Sequence, residues 1–176
     1  MPAPVPIRRL VTSDAHDYRS MMLEAYERHP DAFTSSVAER ASLPMSWWEQ
    51  RLKDDPKAND LVLGAFQGSR LAGVAGLSFE SREKARHKAH LFGMYVPHAM
   101  RKGGIGKALV LSVLEYAQQR AGVKVVQLSV TDGNDAARGL YERCGFVSYG
   151  VEPYAVSVGP DFVSKVLMWC NLGVGK

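Results

Sequence analysis

The run of β-branched residues at positions 124–131 constrains the fold most, because such a run predicts a buried central strand. A helix is predicted on each side of it. The first helix spans residues 104–121 and ends at Gly122, which suits a C-cap, and the second follows the turn at residues 132–134 and ends at Gly145. This pattern predicts a mixed α/β domain with helices on both faces of one sheet.

The rest of the chain fits the same architecture. Apolar runs bounded by turn residues predict further strands at residues 7–10, 61–66, 70–80, 89–96, 146–149 and 163–169. Two more helices are predicted, one with an apolar stripe of Tyr18, Met21, Met22, Ala25 and Tyr26, the other through Trp47, Trp48, Arg51 and Leu52. The polar residues 34–44 between these helices are predicted to be irregular. The predicted order is β-α-α-β-β-β-α-β-α-β-β.

Length and composition narrow the class of protein. The 176 residues predict one domain, residues 1–176, and the net charge of +4 suits a polyanionic small ligand. The positive residues are scattered and the motifs of RNA-binding modules are absent, which argues against nucleic acid. Prolines 2, 4 and 6 argue against an export signal, and the apolar runs are too short to span a bilayer. A cytoplasmic protein is expected, with Cys144 and Cys170 as reduced, buried thiols and without a metal site.

The segment at residues 96–109 carries the densest motif of the chain. Gly103, Gly104 and Gly106 stand at the start of a predicted helix, where glycines let the backbone come close to a ligand. The beginning of a helix presents free N–H groups and the positive end of the helix dipole. Lys102 and Lys107 add positive charge. The segment therefore predicts a phosphate-binding loop.

Two familiar glycine motifs do not fit this loop. A P-loop needs glycine where Arg101 stands and serine or threonine where Ala108 stands. A dinucleotide-binding fingerprint needs a third glycine where Leu109 stands. Both motifs are excluded, and the loop taken alone is equally compatible with a plain glycine turn before a helix.

A second motif supplies the missing context. The pattern Arg101-x-x-Gly104-x-Gly106 is followed, 28 residues after its last glycine, by Asn134-x-x-Ala137-x-x-Leu140-Tyr141-x-x-x-Gly145-Phe146. The two patterns, in this order and at this spacing, resemble the cofactor motif and the second sequence block of the GNAT superfamily of N-acetyltransferases. With the order of strands and helices, the resemblance covers nearly the whole chain. It implies an α/β fold of the GNAT type, in which a central twisted mixed sheet has helices on both faces and its strands splay around the cofactor.

The resemblance also implies acetyl-coenzyme A as the co-substrate. Its pyrophosphate would bind the glycine loop, and its pantetheine arm would lie between splayed parallel strands at residues 89–96 and 124–131, the first of which usually carries a β-bulge. Met94 and Val96 would act through their main-chain groups, and a nearby N–H would polarise the thioester carbonyl. The residues that the resemblance assigns to the cofactor are Met94, Tyr95, Val96, Arg101, Lys102, Gly103, Gly104, Ile105, Gly106, Lys107, Asn134, Ala137 and Tyr141.

The implied reaction is transfer of the acetyl group to a primary amine of a small molecule or protein, by direct attack in a ternary complex. Tyr141 matches the family's general acid for the leaving thiolate, although its place on an apolar helix face also suits a core tyrosine. Asn134 matches a residue that faces the cofactor, and it equally suits a helix N-cap.

The general base is where the sequence departs from the family pattern. Relatives that acetylate protein N-termini carry a glutamate where this chain has Ser129, which cannot serve as a base. Histone-type relatives carry a glutamate where this chain has His90, a residue type whose pKa suits a base near neutral pH. His90 is therefore a candidate base, with a hydrogen-bonded core histidine as its structural alternative. Glu80 and a chain of water molecules are the other candidates.

The sequence does not name the acceptor. Residues 29–48 and 154–162, the second taken as a loop before the last strand, are expected to shape its pocket, since these segments do so in the family. Asp31, Glu39, Trp47 and Asp161 are candidate partners for a cationic amine, and a solvated surface is the alternative. Two other functions stay open, a non-catalytic acyl-coenzyme A-binding module and an acetyltransferase acting on charged tRNA. A homodimer also stays open.

Overall fold

The computed structural model of the chain describes residues 3–173, apart from the side chain of Lys102. The seven strands are β1 (Ile7–Arg9), β2 (Asp60–Gln67), β3 (Arg70–Phe79), β4 (Lys88–Tyr95), β5 (Val125–Thr131), β6 (Val147–Val158) and β7 (Asp161–Asn171). The five α-helices are α1 (Ala15–Arg28), α2 (Val37–Ala41), α3 (Met45–Arg51), α4 (Ile105–Gln119) and α5 (Asp135–Arg143). These elements confirm the predicted α/β class and most of the predicted order.

The strands form one mixed sheet in the order β1-β2-β3-β4-β5-β7-β6. Strands β4 and β5 run parallel, and the other neighbouring pairs run antiparallel. The parallel pair follows from the connection through α4, because a parallel neighbour needs a crossover that a short turn cannot provide.

Helices α4 and α5 cover one face of the sheet. Ile105, Leu109 and Val113 of α4 are fully buried there against apolar residues of the central strands. Their spacing of four residues places them on one face of this helix. Cys144 and Cys170 are free thiols buried in the same core, as expected, and burial raises the pKa of both. This core fixes the beginning of α4 against the end of β4.

Helices α1 and α3 cover part of the opposite face. Tyr18 of α1 and Trp48 of α3 are buried and meet edge to face, with ring centroids 5.7 Å apart. Beyond them the sheet is only half covered. Alternate residues of β5, namely Val126, Leu128 and Val130, point into the core on the other face. Gln127 and Ser129 therefore point to this face, where Gln127 and Ser129 are half-buried. Gln127 lines a cleft on this face together with His90 and Phe92 of β4.

The prediction that residues 34–44 are irregular is wrong for Val37–Ala41, which form α2. A reciprocal cap begins this helix. The Ser36 hydroxyl accepts from the Glu39 N–H at 3.2 Å, and the Glu39 carboxylate accepts from the Ser36 N–H at 3.0 Å. Glu39 therefore serves as a helix cap, and its role as a partner of an acceptor amine stays a prediction.

The prediction that residues 154–162 form a loop is also wrong. Strands β6 and β7 extend into this segment and leave only a short turn at Gly159 and Pro160. The register between the strands shifts between Glu152 and Val156, so β6 contains a bulge. Tyr154 lies in this bulge with φ at 52°, a left-handed backbone that is uncommon for a residue other than glycine.

Within residues 3–173, no helix combines the length and the apolar character needed to cross a membrane. In the same residues, no group of three or more His, Cys, Asp and Glu side chains is placed to hold a metal ion.

Candidate active site

Strands β4 and β5 separate after a short paired stretch. Their ladder joins Lys88 to Val125, Ala89 to Val126 and His90 to Gln127, and it ends there. Farther along β4, the register with β3 shifts between the pairs Gly76–Phe92 and Val74–Tyr95, and Gly93 has φ at 55°. This β-bulge turns the second half of β4 away from β5, as the sequence analysis expects. The facing backbone groups of the two strands beyond His90 lie outside the ladder and can bond a ligand placed between them.

The chain then turns through a 3-10 helix, His98–Gly103, into α4. Gly104 has φ at 70°, and an added Cβ would meet no atom within 4 Å. Glycine is needed there for its backbone conformation, because residues with a side chain rarely adopt it. The Ala108 N–H donates to the Gly104 carbonyl at 3.0 Å as the first bond of the helix. The N–H groups of Ile105, Gly106 and Lys107 precede this bond and are the orphan donors that favour an anion.

Gly106 has a packing role in addition to its place in the predicted phosphate-binding loop. A Cβ on this residue would lie 3.1 Å from Leu140 Cδ2 and 3.5 Å from Met94 Cε. The absence of a side chain thus lets α4 pack closely against α5 and β4. A larger side chain such as valine would press against the ends of the Leu140 and Met94 side chains, so it would disturb this packing as well as the loop.

Arg101 ties the glycine loop to the end of β4. Its Nε donates to the Val96 carbonyl at 2.9 Å, and a terminal guanidinium nitrogen lies 3.2 Å from His29 Nε2. Because a guanidinium can only donate, the His29 Nε2 atom must carry the lone pair in this contact. The Lys107 side chain is exposed beside the loop, and the side chain of Lys102 lies outside the described residues.

Asn134 begins α5 as an N-cap. Its side-chain oxygen accepts a hydrogen bond from the Ala137 N–H at 3.3 Å. Two turns farther along the helix, Tyr141 is 9% exposed and its phenol donates to Met94 Sδ at 3.6 Å. This contact joins α5 to β4 at the point where β4 and β5 have separated. Burial, with a smaller contribution from Cys144, raises the pKa of Tyr141 to about 12.

The other predicted cofactor residues of β4 and α4 differ in whether their side chains or only their main-chain groups can contact a ligand. Met94 and Val96 pack their side chains against the α4 core, and Ile105 is fully buried in it. Tyr95 points to the opposite core, and its phenol oxygen is buried there without a hydrogen-bond partner among the described residues. These residues can therefore meet a ligand through main-chain groups and, for Met94, through its sulfur.

His90 lies in a cleft on the half-covered face, close to the point where the strands separate. The cleft has a volume of about 480 Å³, and Arg51, Glu80 and Phe92 also line it. His90 is exposed as a residue, so the alternative of a core histidine is wrong. Partial burial of the ring lowers its pKa, the charge of Lys165 lowers it further, and Glu80 acts in the opposite sense. Glu80 itself binds Arg82 at 2.6 Å.

The connection from α1 to α2 lies across the ends of the central strands. The Thr131 hydroxyl, at the end of β5, donates to the Asp31 carbonyl at 2.8 Å, and Lys165 of β7 donates to the Thr34 hydroxyl at 3.4 Å. The contact between Thr131 and Asp31 joins residues 100 positions apart, and that between Arg101 and His29 joins residues 72 apart. Sequence reasoning missed both, because no local pattern reports contacts at such separations.

Comparison with protein families decides which family the chain is in. The model of the Acetyltransferase (GNAT) family matches residues 20–146, which include both motifs. This protein belongs to the GNAT acetyltransferase family. The membership confirms the resemblance seen in the sequence.

Two curated relatives of this GNAT chain carry acetyltransferase names. The mycothiol acetyltransferase of Salinispora tropica is 25% identical over 139 residues, which are 78% of this chain and 42% of that protein. The N-alpha-acetyltransferase RimI of Mycobacterium tuberculosis is 38% identical over 90 residues, 51% of this chain and 53% of that protein. The chain thus spans about half the length of the curated relatives it matches.

Solved structures show the same fold for the GNAT chain. A GNAT-family acetyltransferase from Streptococcus pneumoniae has a TM-score of 0.86 at 24% identity and covers 96% of this chain and 99% of its own. The protein yncA from Salmonella typhimurium, solved with its cofactor acetyl-CoA, has a TM-score of 0.79 at 19% identity, with 99% and 97% covered. At these identities the likeness establishes the fold alone.

Proposed function

We propose that the protein is an acetyl-coenzyme A-dependent N-acetyltransferase whose acceptor amine attacks directly in a ternary complex. The observation that carries the proposal is the bond from the buried Tyr141 phenol to Met94 Sδ, 3.6 Å long, where β4 and β5 separate. A phenol that donates to one sulfur atom at this place is suited to donate to another. When bound, acetyl-coenzyme A supplies a thioester carbon that forms a C–N bond with the amine as its C–S bond breaks and a thiolate leaves.

The residues present fit this co-substrate. The orphan N–H groups at the start of α4 and the left-handed Gly104 suit the pyrophosphate, and the unpaired edges of β4 and β5 suit an extended amide-bearing arm. The acetyl-CoA held by yncA supports the same choice. We assign to the cofactor Met94, Tyr95, Val96, Arg101, Lys102, Gly103, Gly104, Ile105, Gly106, Lys107, Asn134, Ala137 and Tyr141.

Tyr141 stabilises the departing thiolate in this proposal. With a pKa raised to about 12, its phenol keeps its proton throughout the physiological range, as an acid must. A simple thiol has a pKa of ~8.5, so complete transfer of the proton to a free thiolate is unfavourable in the site as it stands. Tyr141 therefore acts first as a hydrogen-bond donor, and its hydrogen bond strengthens as negative charge develops on the sulfur atom.

His90 removes the proton from the attacking amine in this proposal. Its lowered pKa keeps the imidazole neutral at neutral pH, the state that a base requires. Glu80 is less suited, because its carboxylate is already bound to Arg82. A water chain from the cleft to the amine is the remaining route, and Ser129 contributes no base.

The acceptor is a primary amine of a small molecule or protein. The names of the relatives support both kinds, since one is a mycothiol acetyltransferase and the other an N-alpha-acetyltransferase. We further propose that residues 1–176 act as one domain in the cytoplasm, without nucleic acid as a partner.

A homodimer is also proposed, through the β6 edge of the sheet. Val147, Tyr149, Val151 and Tyr154 on this edge strand are between 52% and 77% exposed. An exposed apolar edge strand favours pairing with another chain. Light scattering of the purified protein gives the mass in solution, and a monomer at all accessible concentrations contradicts the dimer.

Amine-dependent thiol release tests the proposed activity. The protein is mixed with acetyl-coenzyme A and a panel of polyamines, amino acids, aminoglycosides and peptides, and free thiol is followed with time. Release that requires one of these amines supports the transferase. Tight binding of acetyl-coenzyme A without amine-dependent release from any acceptor supports the non-catalytic binding module instead.

A further inference from the structure

Two arginines, Arg40 of α2 and Arg51 of α3, lie against one tryptophan and, within residues 3–173, have no carboxylate partner. The guanidinium carbon of Arg40 lies 4.5 Å from the centroid of the Trp47 ring, and that of Arg51 lies 4.7 Å from the same centroid. Among the described residues, no carboxylate oxygen lies within 4 Å of either guanidinium. Arg40 Nε is buried and lacks a hydrogen-bond partner in the same set. A buried donor without an acceptor is costly unless something else binds there.

The acidic residues of the neighbouring cleft do not neutralise this pair. Glu80 binds Arg82 at 2.6 Å, and Asp60 accepts from the Ser78 hydroxyl at 2.6 Å. The cleft is positive on balance, because Arg51, Arg82 and Lys88 line it together with two acidic residues, Asp60 and Glu80.

Arg51 is the member of the pair that lies next to the proposed reaction centre. Arg51 also stacks on Phe92, with its guanidinium carbon 5.1 Å from the ring centroid, and both residues line the cleft that contains His90. Phe92 precedes Met94 by two residues on β4, and the β-bulge at Gly93 lies between them. The Met94 sulfur marks the reaction centre through its contact with Tyr141. Phe92, which lines the cleft, and Met94 thus both lie on the part of β4 that follows its paired stretch with β5.

Stacking on aromatic rings holds the guanidinium groups in fixed orientations. Planar guanidinium groups so held can bind a carboxylate or phosphonate with two parallel hydrogen bonds. Tyr18 and Tyr26 lie nearby; burial raises the pKa of both phenols, and the charges of Arg51 and Arg40 oppose the rise. The phenols are neutral and do not satisfy the charge of the arginines.

From this arrangement we infer that the acceptor carries an acidic oxyanion group, which Arg51 and Arg40 bind while its amine faces the thioester. The inference rests on the proposed transferase activity and adds to it the class of the acceptor. It leaves Asp31, Glu39, Trp47 and Asp161 as candidate partners of the amine, because it concerns a second group of the same acceptor. Arg51 and Arg40 act as specificity-determining residues and take no part in the chemical step.

Matched acceptors test the inference. 4-Aminobutyrate, 6-aminohexanoate, several α-amino acids and dipeptides are each compared with their carboxamides, with released thiol as readout. Aminoalkylphosphonates of the same lengths distinguish a phosphonate from a carboxylate. For the preferred skeleton, we expect the acidic member to have a KM at least about tenfold below that of its carboxamide, because bonds between charged groups are strong.

Variants then assign the preference to the arginines. Arg51→Gln and Arg40→Gln should each raise the KM for the acidic acceptor about tenfold, with little change for the carboxamide, for kcat or for the KM of acetyl-coenzyme A. Arg8→Gln is the control, since Arg8 also stacks on a ring, Phe66 at 4.3 Å, but pairs with Asp14 at 2.8 Å. Melting with and without acetyl-coenzyme A verifies that each variant is folded.

The outcomes separate the two proposals. The acidic acceptor alone is overturned if carboxamides or polyamines are turned over at least as efficiently as the acids. It is also overturned if both arginine variants keep the preference for the acid. Absence of amine-dependent release from every acceptor, acidic, neutral or cationic, overturns the transferase itself and with it this inference.

Discussion

Tyr141 is the side chain on which the proposed chemistry depends most. Its ring packs edge to face on Phe146 at 5.9 Å, so Tyr141→Phe keeps this packing and removes only the hydroxyl that contacts Met94. Turnover should fall by roughly 10²–10⁴, the usual contribution of a positioned acid, while the KM for acetyl-coenzyme A changes little. Turnover and KM are measured by steady-state kinetics, under conditions in which the chemical step limits the rate. Wild-type turnover in the variant would make Tyr141 a packing residue.

The raised pKa of Tyr141 has a consequence for the alkaline side of the pH profile. An acid must be protonated to act, and a phenol with a pKa of about 12 stays protonated up to pH ~10. The rate should therefore remain level through pH ~10, once the thioester's own hydrolysis is subtracted. A fall in the rate with a midpoint near the ordinary tyrosine pKa of ~10 or lower would contradict the raised pKa of Tyr141, provided that Tyr141→Phe removes this fall.

His90 determines the acidic side of the same profile. As a base it must be neutral, and because its pKa is lowered, the rate should fall only below the ordinary histidine value of ~6.5. His90→Gln should lower the rate and remove this limb. His87→Gln is the matched control, since His87 is exposed just before β4. If both variants keep the wild-type rate and profile, a water chain or Glu80 is the better candidate.

At the scale of an element, the junction between the 3-10 helix and α4 positions the phosphate-binding N–H groups. Gly104 has φ at 70°, whereas Gly103 has no such constraint and its added Cβ would lie 3.9 Å from Ile105. Gly104→Ala should weaken acetyl-coenzyme A binding about tenfold, because the left-handed backbone costs ~1–2 kcal/mol with a side chain. Gly103→Ala, the matched control, should bind normally. Equal affinities by calorimetry would place the phosphates elsewhere.

The elements that the sequence predicts well are those with a long periodic pattern. Helix α4 and strand β5 follow from apolar spacing and β-branched residues over seven or more positions. Helix α2 has only five residues, too few for periodicity, although its Ser36-x-x-Glu39 cap is visible in the sequence. The extension of β6 was missed because Pro153 and the bulge at Tyr154 interrupt the alternation that marks a strand.

At the scale of the whole molecule, the two motifs predict the loop and α5 but not what surrounds them. The contact of Tyr141 with Met94 and the stacking of Arg40 and Arg51 on Trp47 depend on how distant elements pack. The exposure of His90 depends on which face of the sheet the helices leave uncovered. Local patterns report periodicity and turns, and they carry no information on such packing.

Cofactor binding should stabilise the whole fold, since loop, strands and α5 all contribute to one site. At 100-fold above its dissociation constant, acetyl-coenzyme A should add ~2.7 kcal/mol to the free energy of unfolding and raise the melting temperature. NAD at the same concentration should cause no comparable shift. A shift with NAD and none with acetyl-coenzyme A would return the loop to the dinucleotide-binding class.

The central claim is transfer of an acetyl group from acetyl-coenzyme A to an amine. The most direct measurement uses acetyl-coenzyme A with an isotope-labelled acetyl group, the amine that releases thiol fastest, and mass spectrometry of all products after one turnover. We predict that the label appears on the amine nitrogen, in an amount equal to the thiol released. In Tyr141→Phe, the labelled product should be lost over the same time. The proposed transfer is contradicted if the label appears only as free acetate. It is also contradicted if the label stays on coenzyme A with every amine.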